Sequence, residues 1–171
     1  MRGGAQSAAS RAVIGALAAA LPLLLLAPPL AADPSEETPA AATAGDPDYA
    51  AGRNAVAAGE WERAVALLAK AVLRDNRNAD IHNYLAFAYR HVGDFAHAFA
   101  HYEEALRLNP RHRGAHEYIG EAYLLVDQPQ KAEEHLAALR QICLLPCEEL
   151  DDLAAAVDRY HARLARAPAP R

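Results

Sequence analysis

A chain of 171 residues in which 53% are apolar and only 6% aromatic must build its core largely from alanine and leucine, and such cores favour closely packed helices. The formal net charge is −5, with acidic and basic side chains interleaved, so no basic tract is present to neutralise a polyphosphate and nucleic acid is not expected as a partner. There is no glycine-rich phosphate loop, nucleophile elbow or HExxH, and the neighbouring acids Glu103 and Glu104 fall on different helix faces, so neither an enzyme nor a cofactor site is expected.

Residues 1–32 come first in chain order. "MRGGAQSAASR" carries Arg2 and Arg11 without an acid, "AVIGALAAALPLLLLAPPLAA" is wholly apolar, and "DPSEE" turns acidic, which is the sign asymmetry of an export signal. The apolar run is about long enough to span a bilayer, but Pro22, Pro28 and Pro29 would break a spanning helix. Cleavage is expected after Ala32, with Leu30 two positions before it. No cysteine follows the run to carry a lipid. Loss of Arg2 and Arg11 takes the formal charge from −5 to −7, and the mature chain is expected in the periplasm or secreted, touching membrane only through an uncleaved signal. Residues 33–45, poor in large apolar side chains and rich in Pro, Ala, Thr and Glu, read as a flexible linker.

Beyond the linker the chain repeats itself. Alanines recur at Ala64, Ala98 and Ala132, each 34 residues from the last. The same spacing relates Gly52, Ala86 and Gly120, and relates Leu68, Tyr102 and Leu136. Small residues let paired helices approach, and large ones fill what remains. Asp46 before Pro47 reads as a helix start, and Gly59 and Gly93 as tight turns. Helices are expected near 47–58, 60–74, 80–92, 95–108, 114–126 and 129–142.

This pattern resembles the tetratricopeptide repeat (TPR) family. The most faithful repeat, "ADIHNYLAFAYRHVGDFAHAFAHYEEALRLNPRH", has Leu85, Tyr89, Gly93, Phe95, Ala98, Tyr102, Ala105 and Pro110 in the family's places. The first repeat has Asn76 where proline is usual, and the third has Asp127 for the turn glycine and Leu139 for the last alanine. The resemblance implies an all-α, right-handed α-solenoid of three helix pairs, at about 45–78, 79–112 and 113–145 within 46–145. A capping helix follows at 146–166, with a disordered tail at 167–171. Leu150, Leu153, Val157, Tyr160 and Leu164 recur at helical spacing as the cap's apolar face, while Arg159 and Arg163 occupy other faces.

In this family the first helix of each pair lines a concave groove that binds a peptide or partner helix. Carried onto this sequence, the groove positions are Tyr49, Arg53, Val56 and Ala57; Asn83, Phe87, Arg90 and His91; and Glu117, Glu121, Leu124 and Leu125. Phe87 beside Arg90 and Arg53 would meet an extended acidic or aromatic segment, and Glu117 with Glu121 would make the C-terminal end negative. The alternative is that the final helix covers Phe87, Leu124 and Leu125. The clamp with which some members grip chaperone C-termini uses Lys, Asn and Arg; here the matching columns hold Tyr49, Arg53 and Tyr84, so it is not expected.

His97 and His101, and again His112 and His116, have the i, i+4 spacing of a metal pair, but no third ligand accompanies them and no metal site is expected. Cys143 and Cys147 bracket the corner before the capping helix, with Pro146 expected in that helix's first turn. They are expected to form a disulfide contributing roughly 2 kcal/mol. The sequence therefore reads as a non-catalytic exported scaffold or adaptor that docks a protein or peptide partner in the cell envelope. The alternative is a thiol-disulfide or copper-handling protein acting through Cys143 and Cys147.

Overall fold

The computed structural model describes residues 45–166; the expected export signal at 1–32, the expected linker up to residue 44 and the expected disordered tail at 167–171 lie outside them. Among the described residues all regular structure is helical: α1 (Pro47–Ala57), α2 (Trp61–Arg74), α3 (Ala79–His91), α4 (Phe95–Leu108), α5 (Arg113–Leu125), α6 (Pro129–Ile142) and α7 (Glu148–Arg166). The boundaries of α1 to α6 fall within a residue of those read from the 34-residue register.

Local chemistry sets those boundaries. The Asp46 carboxylate accepts the Tyr49 N–H at 2.9 Å, Asn78 accepts from Asp80 and Ile81 at 2.9 and 3.2 Å, and Asp94 accepts from His97 at 3.1 Å. At the start of α5 the His112 ring Nδ1 accepts the Ala115 N–H at 3.1 Å, so a histidine caps where Asn78 does one repeat earlier. Gly59 and Gly93 end their helices with φ of 71° and 83°. Asp127, at the equivalent turn of the third pair, adopts φ 56°, a left-handed conformation that Asp tolerates better than most side chains.

Side-chain size then fixes helix spacing. Ala64, Ala98 and Ala132 are fully buried where the paired helices meet. A Cβ added at Gly52 would lie 2.6 Å from Leu68 Cγ, and one at Gly120 would lie 2.7 Å from Leu153 Cδ2, so only hydrogen fits at either place. One core gathers around Leu68, Ile81 and Leu85, another around Tyr102, Ile119, Leu136, Leu139 and Leu153. Tyr89 packs against both and joins them into one stack.

The second core is closed by α7, which lies across α5 and α6. Leu153, Val157 and Tyr160 are buried, and burying a side chain such as Leu153 contributes about 2 kcal/mol. Leu164 departs from the expected apolar face: half of it is exposed, because α7 runs 19 residues against 13 in α5 and its last turn reaches past the third pair. The corner before α7 also differs in one respect. Pro146 lies ahead of the helix, and the Cys147 carbonyl accepts the helix's Asp151 N–H at 3.3 Å. Cys143 and Cys147 meet across this corner as a disulfide, with Cα atoms 6.1 Å apart.

The two helical glycines of the third pair make opposite predictions. Gly120→Val should lower stability by ~2–3 kcal/mol in urea unfolding, because the added side chain runs into Leu153, which is itself fully buried. Gly114→Ala places its Cβ no closer than 3.5 Å to Asn83 and should leave stability unchanged or raise it by up to ~1 kcal/mol.

Candidate partner-binding groove

The 34-residue period brings equivalent positions of α1, α3 and α5 side by side, and α7 follows α5 as a further wall. On the first two helices the surface is an aromatic and cationic layer. Arg53 lies over the rings of Tyr49 and Tyr84, 5.7 and 5.3 Å from their centroids. Arg90 lies 4.8 Å over Phe87 and 5.7 Å over Tyr118, whose rings are 4.7 Å apart. Trp61, from α2, stacks on His91 at 3.9 Å and meets Phe87 edge-on at 5.9 Å. Such contacts hold flat, amphipathic side chains rigidly at low entropic cost.

Not every sequence-derived groove residue reaches the surface. Arg53 and His91 are exposed on it, Phe87 and Glu121 are half-buried in it and Arg90 lines it with a largely covered side chain, whereas Tyr49, Asn83 and Glu117 are 8%, 4% and 8% exposed and form its floor. They sit where consecutive repeats touch: a Cβ at Gly114 of α5 would stand 3.5 Å from the Asn83 amide. The Asn83 Oδ1 atom is buried there without a hydrogen bond.

The expected negative end is also corrected. Burial, reinforced by the charges of Glu121, Asp152 and Glu149, pushes the Glu117 carboxyl up to about 8, so it is protonated at neutral pH. Glu121 is occupied by Arg90 at 2.7 Å. In place of free carboxylates, α7 brings Arg159 and Arg163. Between them and α5 lies a pocket of about 530 Å³, lined by Arg90, His91, Glu121, Leu124 and Leu125 on one side and by Ala156, Arg159, Tyr160 and Arg163 on the other. Leu124 is buried under this wall, but Leu125 stays 63% exposed.

Trp61, Tyr84, Tyr118 and the arginines of α7 were not among the residues picked out as groove-lining. Tyr84 and Tyr118 are 34 apart, so the register held a signal for them; Trp61 belongs to a second helix, and nothing in the sequence turned α7's polar face toward α5.

The histidines resolve into pairs other than the i, i+4 ones. His82 and His101 bring their Nδ1 atoms to 2.9 Å, and His116 and His135 do the same one repeat later, also at 2.9 Å. In each dyad the inner ring's Nε2–H donates to a loop carbonyl, of Asn76 or of Pro110, both at 3.1 Å. That fixes the inner Nδ1 as acceptor for the outer ring's Nδ1–H in the neutral state. Burial and the facing ring hold His101 and His135 down at about 4, and burial lowers His116. His97 instead pairs with Asp94 at 2.7 Å and His112 with Asp80 at 3.0 Å. Among the described residues no group of three or more His, Cys, Asp or Glu side chains is placed to hold a metal.

Residues 79–112 match the family model for the tetratricopeptide repeat. The fold is that of TPR helix pairs. Among solved structures the chain is similar to the TPR domain of Sgt2 from Aspergillus fumigatus, with TM-score 0.61 and 20% identity over 71% of this chain and 82% of that one. It is also similar to the first TPR domain of Spaghetti (RPAP3) bound to the HSP90 peptide SRMEEVD (TM-score 0.58, 18% identity, 67% and 87% coverage). A third is the second TPR domain of human RPAP3 in complex with the HSP70 peptide SGPTIEEVD (0.57, 17%, 64% and 91%). At these identities the likeness is one of fold. No curated protein matches the chain at a significant level.

Two pH dependences follow with opposite signs. Glu117 binds its proton more tightly folded than unfolded, so its contribution is full below about pH 4.5 and is lost as pH rises to about 8. Relative to Glu117→Gln, the wild-type Tm should therefore fall by ~3 °C or more between those values, followed by circular dichroism. His101 and His135 are held neutral, so their contribution is full above about pH 6.5 and is lost as pH falls toward 4. The double variant His101→Gln, His135→Gln should flatten the acid decline in Tm across that window.

Proposed function

We propose that this chain is an exported, non-catalytic TPR adaptor that docks a peptide or partner protein in its concave groove within the cell envelope. The observation that carries this reading is the pocket where the groove meets α7. It joins exposed Leu125 to a rigid aromatic layer and to arginines, which is the mixture of apolar anchor and charged rim that docking surfaces use. The solved neighbours named with HSP90 and HSP70 peptides support a peptide-binding role for the fold.

Export rests on the sequence asymmetry of residues 1–32, and it gives the cysteine pair an oxidising compartment in which to serve as a staple. In that role Cys143 and Cys147 fix where α7 leaves α6, and so fix the far wall of the groove. On this reading the cysteines belong to the architecture of the adaptor, and the disulfide between them supports that over a thiol-exchange or copper-handling activity.

The test is site-specific photocrosslinking in intact cells, coupled to fractionation. A photoreactive residue at Leu125 should give a discrete adduct from a chain whose mass begins at Asp33, whereas the same residue at Leu73, exposed on α2, should not. Equal adducts from both positions would remove the groove from consideration, and a full-length cytoplasmic chain would remove export.

A further inference from the structure

The chain is acidic overall, with formal charge −5, yet α7 carries Arg159, Arg163 and Arg166 along one side. Arg163 and Arg166 also suit the negative end of the helix dipole, but Arg159 lies about two turns earlier and gains little from it. Among the described residues no carboxylate pairs with Arg159 or Arg166, and Arg163 reaches only Asp127, at 3.8 Å. The nearest acids on the facing helices are neutralised: Glu121 by Arg90, and Glu117 by keeping its proton. His91, lowered by burial and by Arg90, adds no charge at neutral pH. What remains at the pocket is positive charge on α7, from Arg159 and from Arg163 in its long contact with Asp127, with Leu124 and Leu125 facing it from α5.

We propose that the α5–α7 pocket binds an extended internal segment of a partner in which acidic and aliphatic residues alternate, with the acids on Arg159 and Arg163 and an aliphatic side chain on Leu125. The spacing fits. Arg159 and Arg163 are one helical turn apart, about 6 Å along the axis, and side chains two apart on an extended chain are about 6.6 Å apart and point the same way. The residue between them points to the other side, where α5 presents apolar surface. Recognition by side chains alone makes a free C-terminal carboxylate unnecessary, which separates this site from a terminal clamp. The inference rests on the groove being a docking surface and assigns the chemistry of what docks.

The chain's single tryptophan supplies the reporter, because Trp61 stacks on His91 and His91 lines the pocket. The full oxidised chain is titrated, with Trp61 fluorescence followed, against three acetylated and amidated heptapeptides that alternate leucine with glutamate, glutamine or lysine. The glutamate peptide should bind saturably, at least about tenfold tighter than the other two, and weaken severalfold between ~50 mM and ~300 mM NaCl. Arg159→Glu with Arg163→Glu should abolish that preference. Arg159→Gln alone, a milder change on an exposed position, should weaken binding and keep the Tm. If the glutamine or lysine peptide binds as tightly as the glutamate one, or charge reversal changes nothing, the acidic assignment is overturned while docking in the groove stands. If none of the three binds, this inference is overturned, and the crosslinking at Leu125 decides the groove independently.

Discussion

Everything in this fold depends on how closely its helices can approach. Hydrogen at Gly52 and Gly120, and a methyl group at Ala64, Ala98 and Ala132, let the large residues Leu68 and Leu153 seat against backbone. Because the alanines recur every 34 positions, each pair repeats the close approach of the one before and the first helices lie side by side, while Gly52 makes room for its own partner helix and Gly120 for α7. The groove is a consequence of that spacing. Tyr49, Asn83 and Glu117 are pressed into the contacts between repeats, and the next residues around each helix are left to form the surface.

Burial of one column changes the electrostatics of the next. A carboxyl forced into the contact between α5 and its neighbours keeps its proton, and the Arg90 to Glu121 pair turns two charges into one rigid polar bridge, with the Arg90 side chain only 8% exposed. The floor of the groove is then close to neutral, and α7 sets the sign of the pocket. That couples architecture to specificity: the helix that closes the apolar end of the stack also supplies its charge. A disulfide holding the corner between α6 and α7 bears on recognition as well as on stability, because Arg159 and Arg163 are placed by where α7 starts.

Much of this was legible in the sequence. The period of 34 gave the six paired helices to within a residue, since Asp46, Gly59 and Gly93 mark ends by local chemistry that needs no tertiary context. The groove was legible as columns but not as depths. Whether Asn83 is exposed depends on Gly114 in the next repeat, and whether Glu117 is charged depends first on how deeply packing buries it and then on Glu121, Asp152 and Glu149, the last two in a helix beyond the repeats. Spacing along one helix likewise offered His97 with His101, whereas His101 takes its partner, His82, from α3 and His97 pairs with Asp94 at the cap of its own helix. Leu164 kept the helical period of an apolar face yet found no repeat beneath it.

The histidine dyads show how the repeats stay in register once packed. In the second and third repeats the inner ring, His82 or His116, belongs to the first helix, the outer ring, His101 or His135, to the second, and the bonded carbonyl, of Asn76 or Pro110, to the loop entering the repeat. Three segments are thus tied by two hydrogen bonds, and Tyr89 or Tyr123 stacks on the outer ring from the core side at 5.7 or 5.8 Å. The first repeat has Asp48 and Leu67 in those positions. There Arg74 reaches from the end of α2 to Asp46 and Asp48, both at 2.6 Å, and holds the start of α1 from outside. A salt bridge in water suffices where the array begins. Inside it, an ion pair would have to be desolvated on every side, and two neutral imidazoles sharing one hydrogen make the same connection without a buried charge.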